Sequence, residues 1–488
     1  MALRATMRAN EAQVDELIGW LRTTTPDRVM DEAAAKLAEG VAEDDLWAAG
    51  VLTACRYVNN QAHNLMGFVS HAMIGCEDAR QLAQGQPDRT RYLLLMQALH
   101  QVVADLHDPY FGPYHLLPAW PVREAMLEES IRRLRQDIRM GEYMAVDHRM
   151  VGLNEVMSRE EIADLILDIG LEGMVTDDHA LISPVLSLCM IDLVGWEHGF
   201  DLLRWAARYS SSFPINFGPY DRCVALRAEF DLLDGPRVCD YQPERVQAVR
   251  ARFMAAQPAE RPVLTARLLA EEACSPATVI AAAAQVACDM YLMVDPVPHR
   301  DDDSISREVA PIHLGNCLRL LGEALHYMRP ATQVLAALQA GSMLERGPAV
   351  ISKEFRFVPF EPGRAYPYAE DVAGLSAHAP EQLLACLAEA MPAHDYRRAT
   401  AAVQAYADKG GCPEAMIRLL TATACTDNGT LLHNVKHLNA MVNEFRRCEL
   451  PDRWDYLTQA TRFLTWYCGL TTTAYGRADA ALKERLYL

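Results

Sequence analysis

The segment from Asp177 to Gly195 constrains the fold more than any other part of this sequence. Its side chains are apolar on almost every face of a helical wheel. A helix of this kind is stable in water only when other elements surround it. A second helical pattern follows at once, over Gly199–Tyr209. We therefore predict a central buried helix here, with the rest of the chain packed around it.

The other long segments have helical periodicity as well, from Glu11–Arg22 to Pro451–Gly469. Only Pro348–Gly374 departs from it, where the alternation from Lys353 to Phe360 favours a short strand or an extended loop. No repeat, Gly/Ser linker or low-complexity tract divides the 488 residues. We predict an all-α fold, a single large multi-helical domain or two packed helical halves, with a central cavity for a metal and a substrate. The predicted divisions are N-terminal helices in 1–45, a helical catalytic domain in 46–470 and a C-terminal tail in 471–488.

The charge balance narrows the range of partners. The chain carries 46 Lys and Arg against 65 Asp and Glu, a net charge of -19. Phosphate binding needs clustered cations, so nucleic acid and anionic membranes are disfavoured. No apolar run approaches the roughly 18–20 residues of a membrane span, and the N-terminus lacks the apolar core of a signal peptide. We expect a cytoplasmic protein that acts on a small molecule, and a homodimer is an open expectation.

Several familiar motifs are absent from the sequence. It has no GxGxxG after a strand, no GxxxxGK[ST], no HExxH, no GxSxG and no paired Glu-x-x-His of di-iron bundles. The 13 cysteines are scattered singly without a CxxC pair, which is typical of reduced thiols in a core. A nucleotide, flavin or zinc-ribbon site of a known type is therefore not predicted.

Two histidines lie in an N-terminal helical pattern at residues 59–71. His63 shares a stripe of small residues with Gly67 and Ser70, beside the apolar face. Small neighbours leave room for a metal or a substrate at the His63 ring. His71 lies further round the wheel, which is typical of a supporting or surface position.

Two further histidines occupy core-facing positions in later helices. His179 lies on an apolar face of the predicted central helix, where its imidazole needs a polar partner. Asp177 or Asp178 is placed to cap that helix. His313 lies at the edge of another apolar face, whereas His326 points away from it. For each buried histidine, a hydrogen-bonded core side chain is as consistent as a functional one.

The last candidate group opens a helix late in the chain. His433 and Lys436 are three residues apart, and His433 and His437 are four apart, so all three share one side of the helix. On the wheel this side lies roughly opposite the apolar stripe. For this helix alone a solvated face is favoured, with a metal site or a general base as the alternatives.

Four short segments, taken in order, resemble the questin oxidase-like family, and the resemblance covers about residues 50–470. It implies a mostly helical enzyme that oxidatively cleaves rings of aromatic polyketides such as anthraquinones. The segments are Ala62-His63-Asn-Leu-Met66, His179-Ala-Leu-Ile182 with the later Trp205-Ala-Ala-Arg-Tyr209, Ile312-His313, and His433-Asn-Val-Lys436.

The resemblance also implies one non-haem Fe(II) held by four histidines and a lysine carboxylated on its amine. Imidazoles suit Fe(II), and a carbamate adds the hard anionic oxygen that a free ammonium lacks. Dioxygen would be the co-substrate, with an external reductant such as NADPH. The implied metal ligands are His63, His179, His313, His433 and Lys436.

Lys436, His437 and His71 are the candidate catalytic residues, and either of these two histidines is an alternative ligand. Two other functions fit the same residues. One is a non-oxidative metalloenzyme, such as a zinc hydrolase or lyase, on the same ligands. The other is a helical ligand-binding protein in which the histidines are structural. Pro184, inside the helix that follows His179, is a departure from the expected pattern.

Overall fold

The computed structural model describes residues 3–4, 6–59, 70–112, 114–212, 215–295, 306–353, 363–426, 430–469 and 473–488. These residues form helices and connecting loops without any strand, which confirms the all-α prediction. The alternating residues 354–360 lie outside the described ranges.

The helices in the first half of the described chain are α1 (Glu11–Leu21), α2 (Val29–Ala38), α3 (Glu43–Tyr57), α4 (Ala72–Ala83), α5 (Asp88–His107), α6 (Leu127–Met140), α7 (Tyr143–Asn154), α8 (Arg159–Gly173), α9 (His179–Ser210), α10 (Gly218–Glu229) and α11 (Pro243–Ala255). The second half contains α12 (Arg261–Ala270), α13 (Pro276–Leu292), α14 (Ser306–Ala324), α15 (Pro330–Pro348), α16 (Ala369–Gly374), α17 (Pro380–Ala390), α18 (Tyr396–Asp408), α19 (Pro413–Cys425), α20 (His433–Arg447), α21 (Trp454–Tyr467) and α22 (Thr473–Leu486).

Helix α9 is the predicted central helix, and it continues through the second pattern after a kink at Gly195. Gly195 has φ 74° and ψ 165°, a conformation that a residue with a Cβ rarely adopts. An N-terminal segment crosses the kink so closely that a Cβ on Gly195 would lie 2.5 Å from the Met7 nitrogen. The N–H of Arg8 donates to the carbonyl of Leu193 at 2.9 Å, which satisfies an acceptor that the kink releases.

By length and composition, α9 could cross a membrane, so the expectation that no segment is long and apolar enough is wrong. However, 89% of its most apolar window is buried inside the fold, and this packing accounts for its apolarity. Pro184 lies inside α9, next to α8. There, Gly170 approaches so closely that a Cβ would lie 2.8 Å from the carbonyl oxygen of Ala180.

Helices α4, α9, α14 and α20 contact one another in a closed cycle, each packing on two of the others. Four of the described candidate histidines lie within the first two turns of these helices or just before them, and the fifth, His437, lies in the second turn of α20. His179 and His433 are the first residues of α9 and α20, His71 immediately precedes α4, and His313 lies in the second turn of α14. The cycle of helices therefore directs four imidazoles toward one interior point.

The two ends of the chain pack together. Helix α22 contacts α2 and α5, so residues 473–486 of the predicted tail form a packed helix. The buried apolar side chains of the described residues form one core cluster that extends from Ala9 to Leu482. Within this core the predicted boundaries at residues 45 and 470 stay predictions.

Candidate metal centre

Four histidine rings form a closed ring in the interior. Neighbouring ring centroids are 5.3 Å apart for His71 and His179, 5.2 Å for His179 and His313, 5.4 Å for His313 and His433, and 4.4 Å for His433 and His71. The exposed fraction is 9% for His71, 8% for His179 and 5% for His433, and His313 is half-buried. Residues far apart in sequence thus place four nitrogen heterocycles around one small space.

Three of these rings are each held by a hydrogen bond at their Nδ1 atom. The Nδ1 atoms lie 3.0 Å from Asp177 Oδ1 for His179, 2.9 Å from the Val309 carbonyl for His313, and 2.6 Å from the Thr430 carbonyl for His433. Because each partner is an acceptor, Nδ1 must donate, which leaves the lone pair of Nε2 to accept a hydrogen bond or to bind a metal. Metal-binding histidines are oriented by hydrogen bonds of this type.

Within this ring, the Nε2 atoms of His71 and His313 are buried and have no hydrogen-bond partner among the described residues. An unpaired buried nitrogen costs about 1–3 kcal/mol, so proteins rarely leave one without a purpose. The donor set, two unpaired nitrogens among four clustered imidazoles, fits a transition-metal ion such as Fe(II) or Zn(II).

Lys436 lies at the edge of this ring. Its Nζ is 3.3 Å from Nε2 of His179, and the side chain is buried. Burial lowers the pKa of Lys436, although the attraction of Asp178 and Asp78 opposes that shift. The uncharged amine is therefore favoured at this position compared with an exposed lysine.

Two consecutive carboxylates flank His179. Asp177 accepts from the His179 ring, from its backbone N–H at 3.2 Å and from the Tyr209 hydroxyl. Burial alone would raise the pKa of Asp177, but the hydrogen bonds from His179 and Tyr209 outweigh it and lower the pKa. Burial raises the pKa of Asp178, whose Oδ1 lies 3.4 Å from His179 Nδ1. One ligand atom each of Asp178, His179 and His313 lie within 4.8 Å of one another.

Burial keeps most of the ring uncharged. It holds the pKa values of His71, His313 and His433 well below the ordinary histidine range, and the neighbouring rings and Lys436 lower them further. The positive end of α20 also disfavours an imidazolium at His433. Neutral imidazoles are the form that binds metal ions.

His437 lies one turn further along α20 and does not join the ring. Its Nδ1 is 2.9 Å from Oδ1 of Asn316, which is itself one turn beyond His313 on α14. Burial lowers the pKa of His437 to about 3. Its Nε2 and the Nδ2 of Asn316 are buried without a partner. This pair forms a second polar layer beside the four histidines.

The structure brings together most, not all, of the predicted site. His179, His313, His433 and Lys436 converge, while His63 lies outside the described residues. His71 occupies a place in the ring, because the chain is not helical at residues 70–71 and the wheel that turned this side chain away does not apply there. His326 is exposed, as predicted.

The solvated face favoured for the late helix is wrong. His433, Lys436 and His437 are all buried, because the polar side of α20 faces α4 and α14 instead of water. The sequence also gave no indication of the carbonyl acceptors at Val309 and Thr430, since every residue has a carbonyl. Asp177 was predicted only as a helix cap, although its position two residues before a histidine was the available signal.

Comparison of the chain with protein-family models, with curated proteins and with solved structures finds no match.

Proposed function

We propose that this protein is a metal-dependent enzyme whose metal is held by His71, His179, His313 and His433. The observation that carries the proposal is the ring of four clustered imidazoles, three of them fixed through Nδ1 and two with a buried, unpaired Nε2. A set of merely structural histidines would pair both nitrogens, as buried polar groups generally do. His63 is retained as a further candidate ligand.

We propose Fe(II) as the metal and oxygenation as the reaction. Imidazole nitrogens suit Fe(II), and the resemblance to questin oxidase-like enzymes favours iron over zinc. When bound, the iron would supply the activation of dioxygen. Lys436 would complete the ligand set as a carbamate, and burial supports this role because it favours the neutral amine that adds carbon dioxide.

The chain's own residues would supply orientation and the exclusion of water. Asp177 holds the tautomer and direction of the His179 ring, while Tyr209 fixes Asp177. The Asn316–His437 pair offers an unpaired Nδ2 donor and an unpaired Nε2 to a polar group of the substrate. The Phe463 ring, 5.0 Å from the His437 ring, gives this layer an aromatic wall that suits a flat substrate.

The proposed substrate is a small organic molecule, aromatic or polyketide-like. An external reductant such as NADPH belongs to the proposal. The negative net charge of -19 favours a protein that binds neither nucleic acid nor anionic membranes. A cytoplasmic location completes this proposal.

Reconstitution separates the oxygenase from a non-oxidative metalloenzyme. The metal-free protein would be loaded anaerobically with Fe(II) or Zn(II), and oxygen uptake measured with 1,8-dihydroxyanthraquinone as the probe and NADPH present. We expect uptake only with iron, lost in His313→Ala and retained in His326→Ala, whose side chain is exposed. Equal oxygen uptake with zinc and with iron would reject the oxygenase and leave the hydrolase or lyase. Uptake by the iron-loaded wild type that does not exceed that of His313→Ala would do the same.

A further inference from the structure

Exposed apolar side chains are concentrated in one region of the surface. Among the described residues, nine of the thirteen large hydrophobic side chains that are exposed lie between residues 110 and 156. Trp120 is 73% exposed, Met126 67% and Met140 70%. Single exposed hydrophobic residues are ordinary, but such a concentration marks an interaction surface.

Backbone contacts join the segment before α6 to the second half of α7. The N–H of Trp120 donates to His148 Nδ1 at 2.8 Å, and the N–H of Val122 donates to the His148 carbonyl at 3.0 Å. The segment before α6 therefore lies along α7, and the ion pair of Arg123 with Glu155 at 3.3 Å brings Val122 close to the end of that helix. We call the resulting surface the α6–α7 face, formed by Leu117, Trp120, Val122, Met126, Leu127 and Val156.

The size of the α6–α7 face matches a stable protein interface. From their exposed fractions, its six side chains present on the order of 600–700 Å², close to the roughly 800 Å² that each partner contributes to a standard interface. The largest apolar patch on a typical monomer is roughly 300–600 Å². Trp and Met are also among the residues enriched at interface cores.

The local charge favours a second copy of this chain as the partner. The chain as a whole is at -19, so two copies repel each other over most of their surface. Residues 123–140, however, contain five arginines and four carboxylates and are nearly neutral. The exposed pairs Arg132–Glu129 and Arg123–Glu155 offer both signs of charge at the edge of the face. A two-fold axis brings such mixed edges into complementary contact.

We propose that the protein forms a homodimer through the α6–α7 face, with Trp120 and Met126 at the centre of an isologous interface. Burying these side chains removes the largest exposed apolar surface of the described residues from water. This proposal is independent of the metal centre and of the proposed oxygenase activity.

Light scattering coupled to size-exclusion chromatography tests the proposal on the full chain at micromolar concentration. Reductant must be present, because the exposed Cys239 and Cys412 could otherwise cross-link two copies. We expect a mass of twice the 54.4 kDa chain for the wild type. The double variant Trp120→Glu/Met126→Glu should raise the dimer Kd by at least about 100-fold, since charges in a buried interface core are strongly destabilising.

The control is Leu233→Glu/Tyr241→Glu, which places the same charges on two exposed hydrophobic residues outside the face. It should remain dimeric. Hydrogen exchange supplies a second measurement, with residues 117–127 of the wild type expected to exchange faster on dilution. A monomeric wild type, including one that binds only a different protein through this face, would overturn the proposal. So would a dimer that persists in the Trp120→Glu/Met126→Glu variant.

Discussion

Asp177→Asn is the most informative single substitution near the proposed metal centre, because it changes the support of a proposed ligand, His179, and leaves that histidine in place. Asp177 Oδ1 lies 3.0 Å from His179 Nδ1 and 3.2 Å from the His179 backbone nitrogen, and Oδ2 accepts from the Tyr209 hydroxyl. Asparagine keeps one oxygen, loses the negative charge and presents an N–H group where Tyr209 donates.

We expect this change to lower metal affinity by roughly 10–100-fold, the range found when a hydrogen-bond partner of a metal-binding histidine is removed. That factor corresponds to about 1.4–2.7 kcal/mol of binding free energy. Tyr209→Phe removes one neutral donor from the opposite oxygen of Asp177 and leaves the contact with the histidine. Its effect should therefore be smaller, below about 10-fold.

Competition with a chromophoric chelator measures both affinities, and urea unfolding of the metal-free proteins checks that each variant is folded. The ordering wild type, Tyr209→Phe, Asp177→Asn is the expected result. If Asp177→Asn binds metal within about twofold of the wild type, well inside the range expected for lost support, His179 is not a ligand oriented by this carboxylate. The assignment of His179 as a metal ligand would then be refuted.

Three other expectations follow from the same contacts. Metal affinity of the wild type should rise with added bicarbonate, whereas Lys436→Met should bind more weakly and show no response, because the carbamate needs the amine. Burial, together with repulsion from Asp452 and Asp289, raises the pKa of Asp455 to about 6. Because this pKa is higher in the folded state than in the unfolded state, the stability that is present at low pH is lost as the pH rises through about 6. Asp455→Asn should therefore raise the free energy of unfolding by up to about 2 kcal/mol at pH 7.5 and have less effect at pH 4.5, as urea titrations at both pH values would show; an equal effect at both would contradict the reasoning. Gly195→Ala should destabilise the fold by about 2–4 kcal/mol, because Gly195 has a positive φ and the added Cβ would lie 2.5 Å from the Met7 backbone nitrogen. Gly476→Ala, at an exposed helical position with nothing within 4 Å of the added Cβ, should stabilise it slightly. Thermal melts in which both variants have a Tm above, or both below, that of the wild type would contradict this.

The central helix was predictable because the evidence for it is local. A run such as Asp177–Gly195 needs burial whatever surrounds it, and the apolar faces around His179 and His313 pointed inward for the same reason. The continuity of α9 across Gly195 was not predictable. It depends on an N-terminal segment, some 190 residues earlier in the sequence, that satisfies the backbone at the kink.

The late helix shows where wheel-based reasoning fails. The wheel identified the apolar side of α20 and assigned the opposite side to water. In the structure that opposite side faces α4 and α14, and its Lys436 contacts His179 at the start of α9. The histidines beside it come from distant parts of the chain. Periodicity within one helix carries no information about a second buried face, so His433 and Lys436 needed the tertiary structure. His71 needed it as well, because its direction is set by the backbone before α4.

Metal content measured by mass spectrometry on protein purified without chelators tests the central claim most directly. We predict close to one equivalent of iron in the wild type and in His326→Ala, and a loss of most of it in His313→Ala. A wild type with less than about a tenth of an equivalent of any transition metal, measured on folded protein, would contradict the account of the four histidines as a metal site.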